Sequence, residues 1–290
     1  MNVGIDIGAT KTRIGIEKDG KILIEEFYTP KENLINFLFQ KLSNIKFEKI
    51  VIGIAGIVNI KKGEVIYSPN LKIKNLNLKD ILEKIFRKEV IVVNDAIAAS
   101  IGEKIYGKYK EKNFVYITIS SGIGAGIFID NKLILGKDGN AHEVGHITID
   151  FNSRIKCSCG KYGHWEAYCS GNSIPNFVKY YANLKGYKIF DKIKSAEEFF
   201  KIYKKYEIGK EIFKLLQIIN AKAIASIIHL YDPEIVIIGG SVAVNNKKLI
   251  NKKLIKKELL VRMPKIGFSK VKNNGVLGCL EICKNNLKLK

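Results

Sequence analysis

Short apolar runs alternate with turn-forming residues over the first 28 positions of the chain. VGIDI predicts a strand, GATK a turn, TRIGIE a second strand, KDG a tight turn and KILIEEF a third strand. Residues 114–135 repeat that order with FVYITI, SSGIGAG, IFI, DN and KLIL. Little identity survives between the two stretches; what they share is the pattern. Helix and strand material follows each. After the first, IVIGIAG and VIVVNDA predict buried parallel strands on either side of the amphipathic LKDILEKIFRK. After the second, a helical stretch from about Ser195 to Leu230 leads into EIVIIGG. The pattern predicts a duplicated α/β unit, a β-meander plus α/β material in each half, with a cleft where the two glycine-rich turns face each other.

Composition narrows this picture without redirecting it. A chain of 290 residues, 47% hydrophobic and 27% charged, has the length for one large domain or two medium ones and the makeup of a soluble protein. MNVGIDIG has neither a basic leader nor a long apolar stretch. Later apolar runs are interrupted at Asn94–Asp95, His229 or Asp232 before a bilayer's length. No membrane and a cytoplasmic setting are expected. Five unevenly spaced cysteines do not read as a disulfide framework, which fits a reducing compartment. The net charge of +21 invites a nucleic-acid reading, yet only four of the 49 basic residues are arginine and the lysines run along the whole chain. Specific readers depend on arginine forks and a concentrated patch. The densest run, NKKLINKKLIKKELL at 246–260, has lysines and apolar residues at helical spacing and predicts one solvated helix face. No nucleic acid is expected as a partner.

Chemistry enters at the strand ends. Glycine-rich turns there expose backbone N–H groups that suit phosphate oxygens. One such turn, GIGAG at 122–126, is weak evidence, because tight hairpins also recruit glycine. Two at matching positions, with IIGGSVA at 237–243 before a helix, point to phosphate. Asp6 lies between apolar neighbours inside the first strand. Asp95 closes VIVVNDA where a helix begins. It reads either as that helix's N-cap or as a base at a strand's C-terminal edge, where ligands collect in open α/β sheets. His142 to His146 spells H-E-x-x-H, a metalloprotease zinc signature that needs a helix to bring both histidines to one face. GKDGNA before it, Gly145 inside it and the alternating HITID after it argue against that helix. Further on, CSCGKYGHWEAYC at 157–169 gathers Cys157, Cys159, His164 and Cys169 in one short segment.

Taken in order, DIGATK (6–11), SPNL (68–71), VVNDA (92–96), SSGIGAG (120–126), AHEVGH (141–146), CSCGKYGHWE (157–166) and DPEIVIIGGSVA (232–243) resemble the ROK family of sugar kinases. The resemblance implies two actin-like (RNase H-like) α/β domains flanking a cleft. The smaller would hold residues 1–110, completed by the C-terminal helix at 275–290. The larger would hold 111–274 with the cysteine-rich segment. The implied reaction is transfer of the ATP γ-phosphoryl group to a hexose hydroxyl, with glucose to glucose 6-phosphate as the first expectation. N-acetylmannosamine and fructose are the alternatives, because no tryptophan follows SPNL, Ile97 replaces a second asparagine and His142 replaces a glycine. Polyphosphate is the alternative donor. The family also contains non-catalytic sugar-sensing regulators, which usually carry a helix-turn-helix domain ahead of the first strand. Here that strand starts at residue 2, and a kinase is expected.

The resemblance makes Asp95 the general base and Asp6 the carboxylate for Mg²⁺. Gly8, Ala9, Thr10 and Lys11, and likewise Ser121, Gly122 and Gly124, would cradle phosphates, while Gly239 and Gly240 would let adenosine lie against backbone. Asn70, Asn94, Asp95, Glu143, His146 and Glu166 would ring the sugar. Family members carry a histidine and C-x-C-G-x-x-G-C as the four ligands of a structural zinc. Here His164 stands at the third cysteine's place, so His146, Cys157, Cys159 and His164 form the expected set. Cys169, beyond Trp165 and Glu166, is the poorer candidate on spacing. The expected partners are a small-molecule sugar and further copies of the chain, as a homodimer or higher homo-oligomer.

Overall fold

The computed structural model describes residues 1–285, and the chain divides into two compact units. The first comprises 1–110, 133–142 and the chain from Lys270 on; the second comprises 111–132 and 143–269. The excursion 133–142, expected in the second domain, therefore packs with the first. Of the C-terminal helix expected over 275–290, residues 286–290 lie outside the described residues.

In the first unit β1 (Asn2–Ile7), β2 (Lys11–Lys18) and β3 (Lys21–Tyr28) make the predicted antiparallel meander. After α1 (Leu34–Leu42) comes β4 (Lys49–Ile54), parallel to β1 and buried at all six positions. That unbroken apolar run is what a strand covered on both faces requires. Strands β5 (Ile57–Asn59), β6 (Glu64–Ser68) and β7 (Ile73–Asn77) form a small second sheet that the apolar pattern did not reveal. Then α2 (Leu78–Phe86) leads to β8 (Glu89–Asn94), parallel to β4, and α3 (Asp95–Tyr106) follows directly. The main sheet has the order β3-β2-β1-β4-β8.

The second unit repeats this arrangement. β9 (Phe114–Ile119), β10 (Ile123–Ile129) and the two-residue β11 (Lys132–Leu133) form the meander, β11 being shorter than KLIL predicts. A long insertion carries α4 (Glu166–Cys169), α5 (Ile174–Leu184), α6 (Ala196–Ile202) and α7 (Glu207–Tyr231). β12 (Ile235–Gly239) then pairs in parallel with β9, and after α8 (Ser241–Asn245) and α9 (Lys252–Glu258) comes β13 (Lys265–Phe268), parallel to β12. The order is β11-β10-β9-β12-β13. Two meanders, each extended by two parallel strands, are the duplicated sheets of the actin-like fold.

Three local expectations need correcting. The helix over 195–230 is broken, because Tyr206 is extended (φ −131°, ψ 137°) between a 3₁₀ turn and α7. The lysine-rich 246–260 is not one helix face. A 3₁₀ turn at Lys247–Leu249 precedes α9, whose start is fixed by Asn251 accepting the Lys253 and Leu254 N–H groups. Finally, His229 does not shorten α7, which by length and composition is long enough to cross a membrane. Its 56% burial, with Ile212, Leu216, Ile224 and Ile228 fully enclosed, is that of a core helix.

The last helix, α10 (Asn274–Asn285), returns to the first unit. It lies so close to β1 that a Cβ on Gly4 would stand 2.9 Å from the Leu280 nitrogen and the Val276 carbonyl oxygen. Only glycine permits that approach.

Candidate active site

In the first unit, Asp6 is the penultimate residue of β1 and pairs across the sheet with Arg13. Its side chain is 16% exposed and lies 3.5 Å from the Arg13 guanidinium, which Glu26 holds from the other side at 2.7 Å. Gly275, in the first turn of α10, leaves the room: a Cβ there would stand 2.7 Å from the Asp6 carboxyl carbon. The carboxylate thus meets a helix N-terminus, where the macrodipole favours negative charge. Burial pushes its pKa up to about 6, with Arg13 pulling the other way.

β8 ends at Asn94, and the capping alternative for Asp95 passes to that residue. Asn94 Oδ1 accepts the N–H groups of Ala96 (2.7 Å) and Ile97 (3.4 Å), and its Nδ2 donates to the Gly56 carbonyl at 2.9 Å. With 6% exposure and both ends of its amide engaged, Asn94 holds the strand edge in shape. Asp95 is the first helical residue of α3, where its Oδ1 accepts the Ala96 N–H at 2.9 Å. The Ala55–Gly56 loop is bonded on its other side to Ser68, whose hydroxyl donates to Ala55 O at 2.6 Å. Ser68 starts the 3₁₀ turn Pro69–Leu71, on which Asn70 is exposed. Along the β1–β2 turn, the Gly8 N–H is used within the turn, donating to Lys11 O at 3.0 Å, and Thr29 donates its hydroxyl to Gly8 O. Lys11 is ion-paired with Glu26.

The second unit brings three loops together. The β9–β10 turn closes through Ser120 N–H to Gly122 O at 2.9 Å. Gly171 and Asn172 donate their N–H groups to Ser120 O (2.7 Å) and Ser121 O (3.2 Å), and Ser120 Oγ lies 3.3 Å from Ser241 Oγ beyond β12. Among the described residues, the Ser121 and Gly122 N–H groups are committed to no backbone acceptor, which suits an incoming anion. Gly124 is not part of the turn; it lies in β10, paired with Thr118. Gly240 is required for a reason other than ligand approach. Its φ is 83°, and a Cβ there would meet the Ile119 backbone at 2.3 Å. At Gly239 a Cβ would stand 2.2 Å from the Tyr116 hydroxyl. Gly171, Asn172 and Ser241 escaped the sequence reading; a lone S-G-N ahead of a helix has no glycine spacing to mark it.

The cysteine-rich segment folds into one cluster. The ligand atoms of His146, Cys157, Cys159 and His164 lie within 4.8 Å of one another. Gly160 (φ 88°) and Gly163 (φ 75°) turn the loop back, and Thr148 bridges His164. Both histidines face the thiols through Nδ1, His146 at 3.7 Å from Cys157 Sγ and His164 at 3.2 Å from Cys159 Sγ. His146 Nε2 lies 3.5 Å from Glu143, the outer carboxylate that commonly orients a metal-bound imidazole. Burial and the neighbouring His146 lower the His164 pKa, which keeps the neutral form a metal needs. Burial pushes the Cys157 thiol up to about 11, so a thiolate there requires a cation beside it. A tetrahedral zinc needs ligands about 3.3–3.8 Å apart, so the donor set fits after a modest closure. Cys169 stands apart, fully buried against Leu216 O. All five cysteines are free thiols. The H-E-x-x-H spacing makes no second site: Val144–His146 is a single 3₁₀ turn, and His142, 1% exposed with its pKa driven down to about 4 by burial, belongs to the other unit.

Glu166, at the start of α4, accepts the Ile123 N–H and the Ser158 hydroxyl, each at 2.8 Å, and so ties the cluster's loop to the glycine-rich turn.

Comparison with known proteins gives the chain a family. The ROK family model matches residues 2–285, and the chain belongs to the ROK family. It is 36% identical to a glucokinase from Pyrobaculum calidifontis, over 86% of this chain and 81% of that one. It is 32% identical to a glucokinase from Aeropyrum pernix, over 98% and 97% of the two chains. Among solved structures, a ROK family glucokinase from Streptomyces griseus in complex with glucose and AMPPNP superposes with a TM-score of 0.78 at 27% identity, covering 97% of this chain and 98% of that one.

Proposed function

We propose that this protein is an ATP-dependent glucokinase that transfers the γ-phosphoryl group to the 6-hydroxyl of glucose. The observation that carries the reading is the placement of Asp95 directly after the end of β8, as the first residue of α3, with the helix cap supplied by its neighbour Asn94. The glucokinase relatives supply the substrate. A sugar hydroxyl is a poor nucleophile, and Asp95 would accept its proton as the bond to phosphorus forms. Phosphoryl transfer otherwise asks for positioning and charge neutralisation. Asp6 would hold Mg²⁺ directly or through water, and that ion, when bound, neutralises charge on the phosphate oxygens. The Ser120–Gly122 turn, with Gly171, Asn172 and Ser241 around it, would receive phosphates. Asn70, Glu143, His146 and Glu166 are offered as sugar contacts, their carboxylates accepting from hydroxyls.

ADP release from the purified protein, measured against a panel of hexoses and N-acetylhexosamines, tests the substrate. Glucose is expected to give the highest kcat/KM; another hexose more than about tenfold better, which is ~1.4 kcal/mol of transition-state preference, overturns it. Polyphosphate in place of ATP tests the donor in the same assay.

We assign the Cys/His cluster to a structural zinc held by two cysteines and two histidines, a closed set with no position for catalytic water. Elemental analysis of protein purified without chelator is expected to give one zinc per chain. The metal should be lost in Cys157→Ala and His164→Ala and kept in Cys169→Ala; the reverse pattern for the last two assigns the site to Cys169.

A further inference from the structure

One side chain joins the two functional loops of the second unit. Glu166 Oε2 accepts the N–H of Ile123, the residue directly after the glycine-rich turn, at 2.8 Å. Its Oε1 accepts the hydroxyl of Ser158, which stands between Cys157 and Cys159, also at 2.8 Å. Gly122 makes this possible, since a Cβ there would lie 2.8 Å from the same Oε2. A third segment, the 3₁₀ turn carrying His146, also packs against the residue after the glycine-rich turn: a Cβ on Gly145 would stand 2.3 Å from Ile123 O. A carboxylate whose two oxygens are taken by donors from separate loops fixes the position of each loop against the other. Ile123 is 5% exposed, so its N–H, deprived of Glu166, would have little water to turn to.

We propose that Glu166 is the positioning residue of the phosphate turn, clamping Ile123 to Ser158 so that order in the Cys157–Cys159 loop sets the affinity for the phosphoryl donor. The proposal rests on the reading of Ser120–Gly122 as the donor's phosphate site. It gives Glu166 a role on the donor side, beyond the sugar contact offered above, and gives Ser158 a role of its own.

Three substitutions separate the clamp from a direct ligand contact. Glu166→Ala removes both hydrogen bonds. Glu166→Gln keeps an acceptor for Ile123 and turns a donor toward the Ser158 oxygen, so the clamp survives while the charge is lost. Ser158→Ala removes one half of the clamp. For each, KM for ATP and for glucose are measured separately, nucleotide affinity by calorimetry and Ile123 amide exchange by NMR. Ile123 exchange is expected to quicken about tenfold or more in Glu166→Ala and about threefold in Ser158→Ala. The ATP KM should rise by about tenfold in Glu166→Ala and about threefold in Ser158→Ala, yet stay within about threefold of wild type in Glu166→Gln. In Ser158→Ala the glucose KM and the metal content should hold. Unchanged Ile123 exchange in Glu166→Ala overturns the clamp. Faster exchange with unchanged nucleotide affinity overturns the donor reading of the turn while leaving the clamp itself standing. An ATP KM raised equally in the Gln and Ala variants means that the charge acts on the ligand directly, and removes the positioning role.

Discussion

The two five-stranded sheets share a strand order and differ in what they place at equivalent points. In the first, the penultimate residue of the central strand is Asp6, paired with Arg13 on one side and Gly53 on the other. In the second it is Thr118, flanked by Gly124 and Gly239. The fifth strand of the first sheet runs through Asn94 straight into α3, with Asp95 as its first residue. The fifth strand of the second ends at Phe268, and Ser269 leads away toward the other unit. One scaffold therefore carries ionisable groups at its strand ends, and its twin carries small residues and backbone amides. On the proposed reading, the same backbone geometry would serve proton and cation chemistry in one copy and anion reception in the other, because function is set by the site and not by the fold.

Substitutions at equivalent positions test that asymmetry, and the largest effect is expected at the fifth strand. Asp95→Asn keeps the size of the side chain and removes the base, so kcat should fall about a hundredfold or more with glucose binding retained. Ser269→Ala, at the matching step of the other sheet, should cost less than about threefold. Similar losses in the two variants would erase the difference between the sheets.

At the central strand the expected effects on activity and stability point in opposite directions. The folded protein holds a proton on Asp6 up to about pH 6, well above the ordinary 3.8. A raised carboxyl pKa means the native state binds the proton more tightly, so this group increasingly destabilises the fold as pH climbs from about 4 to 6. The full cost, about 3 kcal/mol with the opposing pull of Arg13 already included, applies above that window. Asp6→Asn should therefore raise Tm at pH 7, with the gain vanishing below pH 4, while the KM for MgATP rises about tenfold or more. Thr118→Ala should move neither by much. Thermal melts across pH 4–8 beside steady-state kinetics decide it; a lower Tm for Asp6→Asn at pH 7 contradicts the argument.

The smallest effect concerns the insertion that only the second unit has. Asp150 accepts from Arg154 Nε and Nη2, each at 3.0 Å, and from the Tyr168 hydroxyl at 2.5 Å. Arg154 leads in holding its pKa down to about 2. A depressed pKa stabilises the fold above the ordinary value and loses that effect as pH falls toward 2. Asp150→Asn should cost about 2 kcal/mol in urea unfolding at pH 7, and the gap from wild type should shrink between pH 4 and 2.

The halves were legible where pattern and punctuation agree. Both meanders announce themselves through period-two apolar runs broken by GATK, KDG and SSG, and β4 and β8 through unbroken apolar runs. Strands β5 to β7 were not, because IVN, EVIYS and IKNLN are short and mix charge with apolar residues. The break at Tyr206 hides inside a segment whose every residue tolerates a helix. Within the site, motif spacing pointed to Asp6, Asp95 and the Cys/His set. It could not show that Asn94 rather than its neighbour Asp95 would take the cap, a choice between two adjacent capping residues, or that Glu166 would accept the Ile123 N–H 43 positions away, which depends on two loops meeting in space.

The return of α10 to the first unit bears on how the protein is made. The Cys279 thiol donates to the Ile5 carbonyl across 274 positions, and the Cys283 thiol to Val3 O across 280. A nascent chain that has emerged only as far as Lys110 carries β1, β2 and β4 with the apolar face that α10 covers still bare. The second unit draws its strands from 111–269 and can close earlier, so the half synthesised first is finished last. During translation the sheet bearing Asp6 is therefore the one whose apolar face stays uncovered longest.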